Sequence, residues 1–120
     1  MSTLREEFKA AIDADAASYE AVMKAYKAKS GSDGAIAEAL KGATNVPLGV
    51  AERAREVARI VKALRPITNP KMASDLTVAH ALARAALTGA LANVEINLAD
   101  LTDAAFVGEV RSRTAALRSA

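Results

Sequence analysis

The chain has no cysteine and no tryptophan, and its 120 residues include only two tyrosines, two phenylalanines and one histidine. Without cysteine there is no disulfide framework and no thiolate to hold a metal, which suits the cytoplasm without requiring it. A lone histidine, His80, makes a zinc site a poor fit, and no Ser/His/Asp arrangement for nucleophilic catalysis presents itself. With aromatics at 3%, the core has to be aliphatic and alanine-rich. That composition argues against sandwiches and barrels, whose strands want β-branched and aromatic residues. Charge of one sign is scarce too: 16 Lys and Arg against 14 Asp and Glu leave +2, and no basic patch interleaved with aromatics marks a nucleic-acid partner. The first residues carry Glu6 and Glu7 and lack the apolar core of a signal peptide. The longest apolar stretch holds His80 and Arg84 mid-length, so no membrane span is expected. What remains is one helical domain over residues 1–120, expected in the cytoplasm and long enough to bury an ordinary core.

The most informative stretch is residues 69–98. Pro70 stands ahead of a long helix, Ser74 or Asp75 can cap it, and no proline interrupts it as far as Leu98. Leu76, Ala79, Ala83, Leu87, Ala90, Leu91 and Val94 recur at helical spacing. Ala79, Ala83, Ala86 and Ala90 leave a face with almost no side-chain bulk, which lets another helix come close and favours a dimer. Gly89 costs roughly 1 kcal/mol against alanine inside a helix. Close backbone approach by a neighbouring helix or a ligand is the usual compensation. Asn93 and Asn97, one turn apart on one face, put amides where apolar residues would be expected.

Around this helix the chain reads as further helices. Thr3 and Glu6 have capping-box spacing for a first helix reaching about residue 29. Its apolar stripe is Leu4, Phe8, Ala11, Ile12, Tyr19, Val22, Met23 and Tyr26. Asp13 and Asp15 interrupt the stripe, and two residues apart on a helix they face different ways, which argues against an acid/base pair. Residues 30–34 read as a turn. A short helix over 35–43 comes next, with Ile36, Ala39 and Leu40 inward. At Asn45-Val46-Pro47 either a new helix begins or one long helix bends at Pro47. Val50, Ala54, Val57, Ala58, Val61 and Leu64 give residues 48–64 an apolar side. The charged run opposite, from Glu52 to Lys62, is a solvated face or a contact for an anionic substrate tail. Thr102 is expected to cap a last helix over 103–118 that buries Phe106, Val110 and Leu117, with Arg111, Arg113 and Arg118 suiting its negative end. The expected architecture is an all-α bundle of four to five helices.

Several of these residues resemble one family. Asn69-Pro70, Ser74-Asp75 and the run AALTGALANVEINL from Ala86 are similar to the cyclodeaminase/cyclohydrolase family. So are Ile12-Asp13-Ala14-Asp15, Tyr19, Val22-Met23, Ala25-Tyr26, Ala43-Thr44, Val46-Pro47-Leu48 and Val50-Ala51-Glu52 upstream. That family comprises the cyclodeaminase domain of formiminotransferase-cyclodeaminase and bacterial methenyltetrahydrofolate cyclohydrolases. Its members usually begin with a further helical segment carrying a Pro- and Gly-rich turn, so this chain is similar to the C-terminal part of the domain and is short at its N-terminus.

The resemblance implies a helical dimer acting on a tetrahydrofolate derivative, with no metal or redox cofactor. A cyclohydrolase adds water to the bridging carbon of 5,10-methenyltetrahydrofolate to give 10-formyltetrahydrofolate. A cyclodeaminase closes 5-formiminotetrahydrofolate and expels ammonia. Such a site has to orient the substrate, supply a base and an acid, and place a carboxylate near the cation. Asp75 is the catalytic candidate, with helix capping as its simpler reading; Ser74 shares that ambiguity. Asn69, Asn93 and Asn97 are substrate-binding candidates against turn chemistry for the first and a buried amide pair for the other two. His80 and Lys71 depart from the family pattern. Two other readings stay open: a shortened relative that binds folate or oligomerises without catalysis, and a fragment whose partner chain supplies the missing helix.

Overall fold

A computed structural model describes residues 2–27 and 33–118. Four α-helices carry them: Ser2–Lys27 (α1), Asp33–Leu64 (α2), Ala73–Ala99 (α3) and Ala104–Arg118 (α4). Two single 3-10 turns, Arg65–Ile67 and Pro70–Met72, join α2 to α3, and no strand occurs among the described residues. The all-α bundle is as expected. No helix of the described residues is long and apolar enough to cross a membrane.

α2 is the central rod. α3 lies antiparallel along it, with Asn97 beside Ala43 at one end and Arg65 beside Thr77 at the other. α4 runs parallel to α2, held by Lys41–Asp103 and Glu52–Arg113, both at 2.7 Å. α1 covers another side of α2, tied by Glu7 to Arg53 at 3.1 Å. The core is aliphatic: Leu48, Ala51 and Ala54 of α2 meet Leu87, Leu91, Val94 and Leu98 of α3, with Val110 and Leu117 of α4. Ala51 and Ala54 are 0% and 1% exposed, so small side chains bring the two long helices close. Leu87, Ala90, Leu91 and Val94 are buried as their spacing predicts, while Leu76 and Ala79 are half-buried near the open end of α3.

Several local expectations need correction. Of the two readings at Pro47, the single long helix is correct, and Asp33 and Gly34 belong to it; residues 30–32 of the expected turn, and 28–29 of the first helix, lie outside the described residues. Ser74 and Asp75 do not cap α3. The cap position is Met72, with no side-chain cap bond, and Asp75 sits in the first turn, because the Pro70–Met72 turn feeds straight into the helix. Asn69 caps that turn instead, its Oδ1 accepting from the Lys71 N–H at 3.0 Å. Asp103, not Thr102, caps α4: its Oδ1 accepts the Phe106 N–H at 3.1 Å. α1 already includes Ser2 and Thr3, so Thr3 lies inside the helix and does not precede it. The stripe of α1 also divides: Leu4, Phe8, Ala11 and Val22 are half-buried, while Ile12, Tyr19, Met23 and Tyr26 are exposed. α2 is the main neighbour of α1, and a stripe wide enough for two neighbours leaves half of itself to solvent.

The result is a plate and not a ball. Its extents are 61 × 26 × 18 Å and its radius of gyration is 17.0 Å, against about 14 Å for a compact domain of this length.

Candidate functional site

A polar defect in α2 sets the site. Proline has no N–H and its ring crowds the carbonyl four residues back, so Pro47 leaves the Ala43 C=O without its helical donor. Asn97 of α3 serves that carbonyl, its Nδ2 donating to Ala43 O at 3.0 Å. Beside it the fully buried Thr44 hydroxyl donates to Leu40 O, one turn back, at 2.7 Å. Asn97 therefore has a structural duty whatever else it does. Because α3 places Asn93 one turn before it, the same register brings a second amide to the neighbouring surface.

Above this defect lies a cleft of about 430 Å³, with α1 as one wall, α3 as the other and α2 as floor. α1 contributes Asp15, Ser18, Tyr19, Val22 and Tyr26; α2 contributes Leu40, Ala43 and Pro47. Asn93, Ile96, Asn97 and Asp100 come from the end of α3. Two features stand out. Both tyrosines of the chain are here, 65% and 55% exposed. The charged residues of the lining are two carboxylates, Asp15 and Asp100, with no Lys or Arg among them. An aromatic-walled cleft with amides and negative charge suits a flat, hydrogen-bonding cation.

The candidates from the sequence divide between the two ends of the plate. Asn93 and Asn97 line the cleft. Asn69, Ser74 and Asp75 lie around the start of α3, away from it. Asp75 is eighteen positions before Asn93, about 27 Å along a helix. One copy of the chain does not bring it to the cleft. Asp15, Tyr19, Tyr26 and Asp100 were not singled out as site residues by sequence reasoning. A signal existed: Asp15, Tyr19, Val22 and Tyr26 recur at helical spacing on one side of α1, while Asp13 points elsewhere and stays out of the cleft. Periodicity assigned the tyrosines to the core, because it reports a shared face and not what covers that face.

A second cleft, of about 440 Å³, lies between the later half of α2, the earlier half of α3 and the end of α4. Arg55, Arg59, Lys62, Arg84 and the half-buried His80 line it, together with Glu52 and Glu56. Much of this charge is locally matched. Arg59 pairs with Glu56, holding its carboxyl below the usual carboxylate range, and Glu52 pairs with Arg113.

A sequence model of the formiminotransferase-cyclodeaminase family matches residues 1–116. The chain belongs to that family. Among its relatives, the formimidoyltransferase-cyclodeaminase of Sus scrofa is 37% identical over 113 residues, which are 88% of this chain and 21% of that protein. The methenyltetrahydrofolate cyclohydrolase of Methylorubrum extorquens is 35% identical over 113 residues and is 54% covered. The crystal structure of formiminotetrahydrofolate cyclodeaminase from Thermotoga maritima superposes with a TM-score of 0.94 at 29% identity, over 99% of this chain and 59% of that one. The formiminotransferase-cyclodeaminase fold is thus present nearly end to end in this chain, while the chain spans between about a fifth and three fifths of these relatives' own lengths.

Proposed function

We propose that this chain acts in folate one-carbon metabolism, hydrolysing the cyclic amidinium of 5,10-methenyltetrahydrofolate to 10-formyltetrahydrofolate in the cleft between α1, α2 and α3. The observation that carries the reading is the lining of that cleft: two exposed tyrosines, two amides, and two carboxylates with no cation beside them. The pterin, flat and rich in donors and acceptors, stacks on Tyr19 or Tyr26 and bonds to Asn93 and to whatever capacity Asn97 retains beyond Ala43. The carboxylates stabilise the amidinium and face the bridging carbon. Water adds to that carbon and gives up a proton to a carboxylate. The proton then returns to the ring nitrogen that leaves as its C–N bond breaks, the formyl group stays on the other nitrogen, and one proton is released overall. Asp15, on the wall opposite the amides, is assigned as the base.

Two of the three relatives described above carry cyclodeaminase names, which favours a second reading in which the same cleft closes 5-formiminotetrahydrofolate and releases ammonia. One assay separates them. Methenyltetrahydrofolate absorbs in the near ultraviolet, so hydrolase activity is a loss of that absorbance, and deaminase activity is its appearance from the formimino substrate. Asp15→Asn should lower kcat by about 10²-fold or more, the usual range for a lost acid/base group. Saturable folate binding without turnover would identify a non-catalytic relative. The absence of both folate binding and turnover would sink the reading.

A further inference from the structure

The charges of this chain are sorted between its two clefts. The cleft beside α1 is lined by two carboxylates and no Lys or Arg, whereas the second, of about 440 Å³, holds Arg55, Arg59 and Lys62 of α2 with His80 and Arg84 of α3. On a chain whose net charge is only +2, four formal cations in one recess are a local concentration. Arg55, Arg59 and Lys62 follow at steps of four and three, which puts them on one face of α2, and His80 and Arg84 are one turn apart on α3. The two helices are antiparallel neighbours, so both rows border the same space. Ala58 and Leu117, both buried, make the apolar part of the lining.

Like charges one turn apart repel and destabilise a helix, so such a pattern asks for counter-charge. The two carboxylates of the lining are already engaged: Glu56 pairs with Arg59, and Glu52 with Arg113 of α4 at 2.7 Å. Among the described residues, Arg55 and Lys62 have no carboxylate within ion-pair distance. We infer that this recess is a second ligand site, for a pyrophosphoryl group, free or carried by a nucleotide. Guanidinium forks match phosphate oxygens two at a time, and Lys62 adds a point charge. The His80 imidazole has an N–H to donate whether it is neutral or charged. A pyrophosphoryl group packs several negative charges into one compact volume, which suits cations drawn from two helices around one recess. An extended chain of single carboxylates spreads the same charge along its length. The two clefts share no lining residue, and Arg59 stands about 18 Å along α2 from Pro47, so filling one leaves the other open. The inference stands on the charge and shape of this recess and needs nothing from the folate reading.

His80 is the sole histidine, so its ring C–H resonances report on this recess alone. Sodium pyrophosphate and ADP, each titrated into the native protein at ~0.15 M salt, should move those resonances along a saturable curve with a Kd below about 1 mM. R55S combined with K62S should raise that Kd by about tenfold or more while keeping the helical circular dichroism. K9S combined with K24S, which removes the same charge from exposed positions on α1, should change it by less than about twofold. ADP binding tighter than pyrophosphate assigns the site to a nucleotide, and ADP binding no tighter assigns it to the free anion. No saturation by ~10 mM, or the same Kd in R55S/K62S, would overturn the inference. So would triglutamate binding as tightly as pyrophosphate, which would mark the recess as a site for a carboxylate tail. None of these readouts involves turnover, so a failed folate assay and a failed anion site are told apart.

Discussion

The bond between Asn97 and Ala43 makes a quantitative claim about α2. If Asn97 is needed because Pro47 has no N–H, its worth depends on the proline. In the native chain Asn97→Ala removes a hydrogen bond that joins two helices and leaves the Ala43 carbonyl half-buried without a donor. A lost bond with an unsatisfied partner costs about 1–3 kcal/mol, and partial exposure puts this one near 1–2 kcal/mol. Pro47→Ala supplies an N–H at the fourth position after Ala43. It relieves up to ~3 kcal/mol of proline penalty and gives back part of that through the loss of a buried ring. In the Pro47→Ala background the carbonyl has its helical donor again, and Asn97→Ala should cost only a few tenths of a kcal/mol. The double-mutant cycle should therefore show a coupling of about 1 kcal/mol. The measurement is urea unfolding of all four proteins at one protein concentration, read from the midpoint at constant m. Equal costs for Asn97→Ala in both backgrounds, within ~0.5 kcal/mol, would refute the link to Pro47 and leave Asn97 as a cleft residue alone.

Other outcomes rest on the same geometry. Asp103 is held below its ordinary 3.8 by the Lys41 ammonium and the Phe106 N–H. Its stabilisation is complete above the unfolded value and lost as pH falls through the lower folded one, so Asp103→Asn, which keeps a capping oxygen, should flatten the fall of Tm below about pH 4. Lys41 is raised above 10.5 by Asp103 and Glu38, so its share persists to that pH and disappears only above it. Tyr19→Ala and Tyr26→Ala should each raise the folate Kd by about 2–10-fold, the worth of one aromatic contact, while the Phe variants stay close to native by titration. Gly108→Ala, in open space, should stabilise by up to ~1 kcal/mol. Gly89→Ala, with the same open space, should stabilise by a similar amount, read from the same urea midpoints.

What the sequence disclosed depends on what periodicity can carry. The buried side of α3 was legible in advance because Leu87, Ala90, Leu91 and Val94 repeat on one face and that face meets α2. Pro47 could be read as a break or a bend, since the residue that decides it, Asn97, lies 50 positions later and no local pattern records that bond. The caps were misplaced for a related reason: Asn69, Ser74, Asp75, Thr102 and Asp103 all have capping chemistry, and backbone geometry chooses among them. At the site, the amides were conspicuous as polar residues on an apolar helix. The tyrosines were hidden among the apolar residues of α1, because a wall of an open cleft and a wall of a core share the same spacing, and Asp15 was weighed only as a pair with Asp13, which faces another way.

The flatness of the molecule has a thermodynamic consequence. A chain that leaves this much area in contact with water when folded gains comparatively little new hydration when it unfolds. Both its heat-capacity change and its sensitivity to urea should fall short of what 120 residues ordinarily give, so the isolated chain's free energy of unfolding varies gently with temperature and its melting is broad.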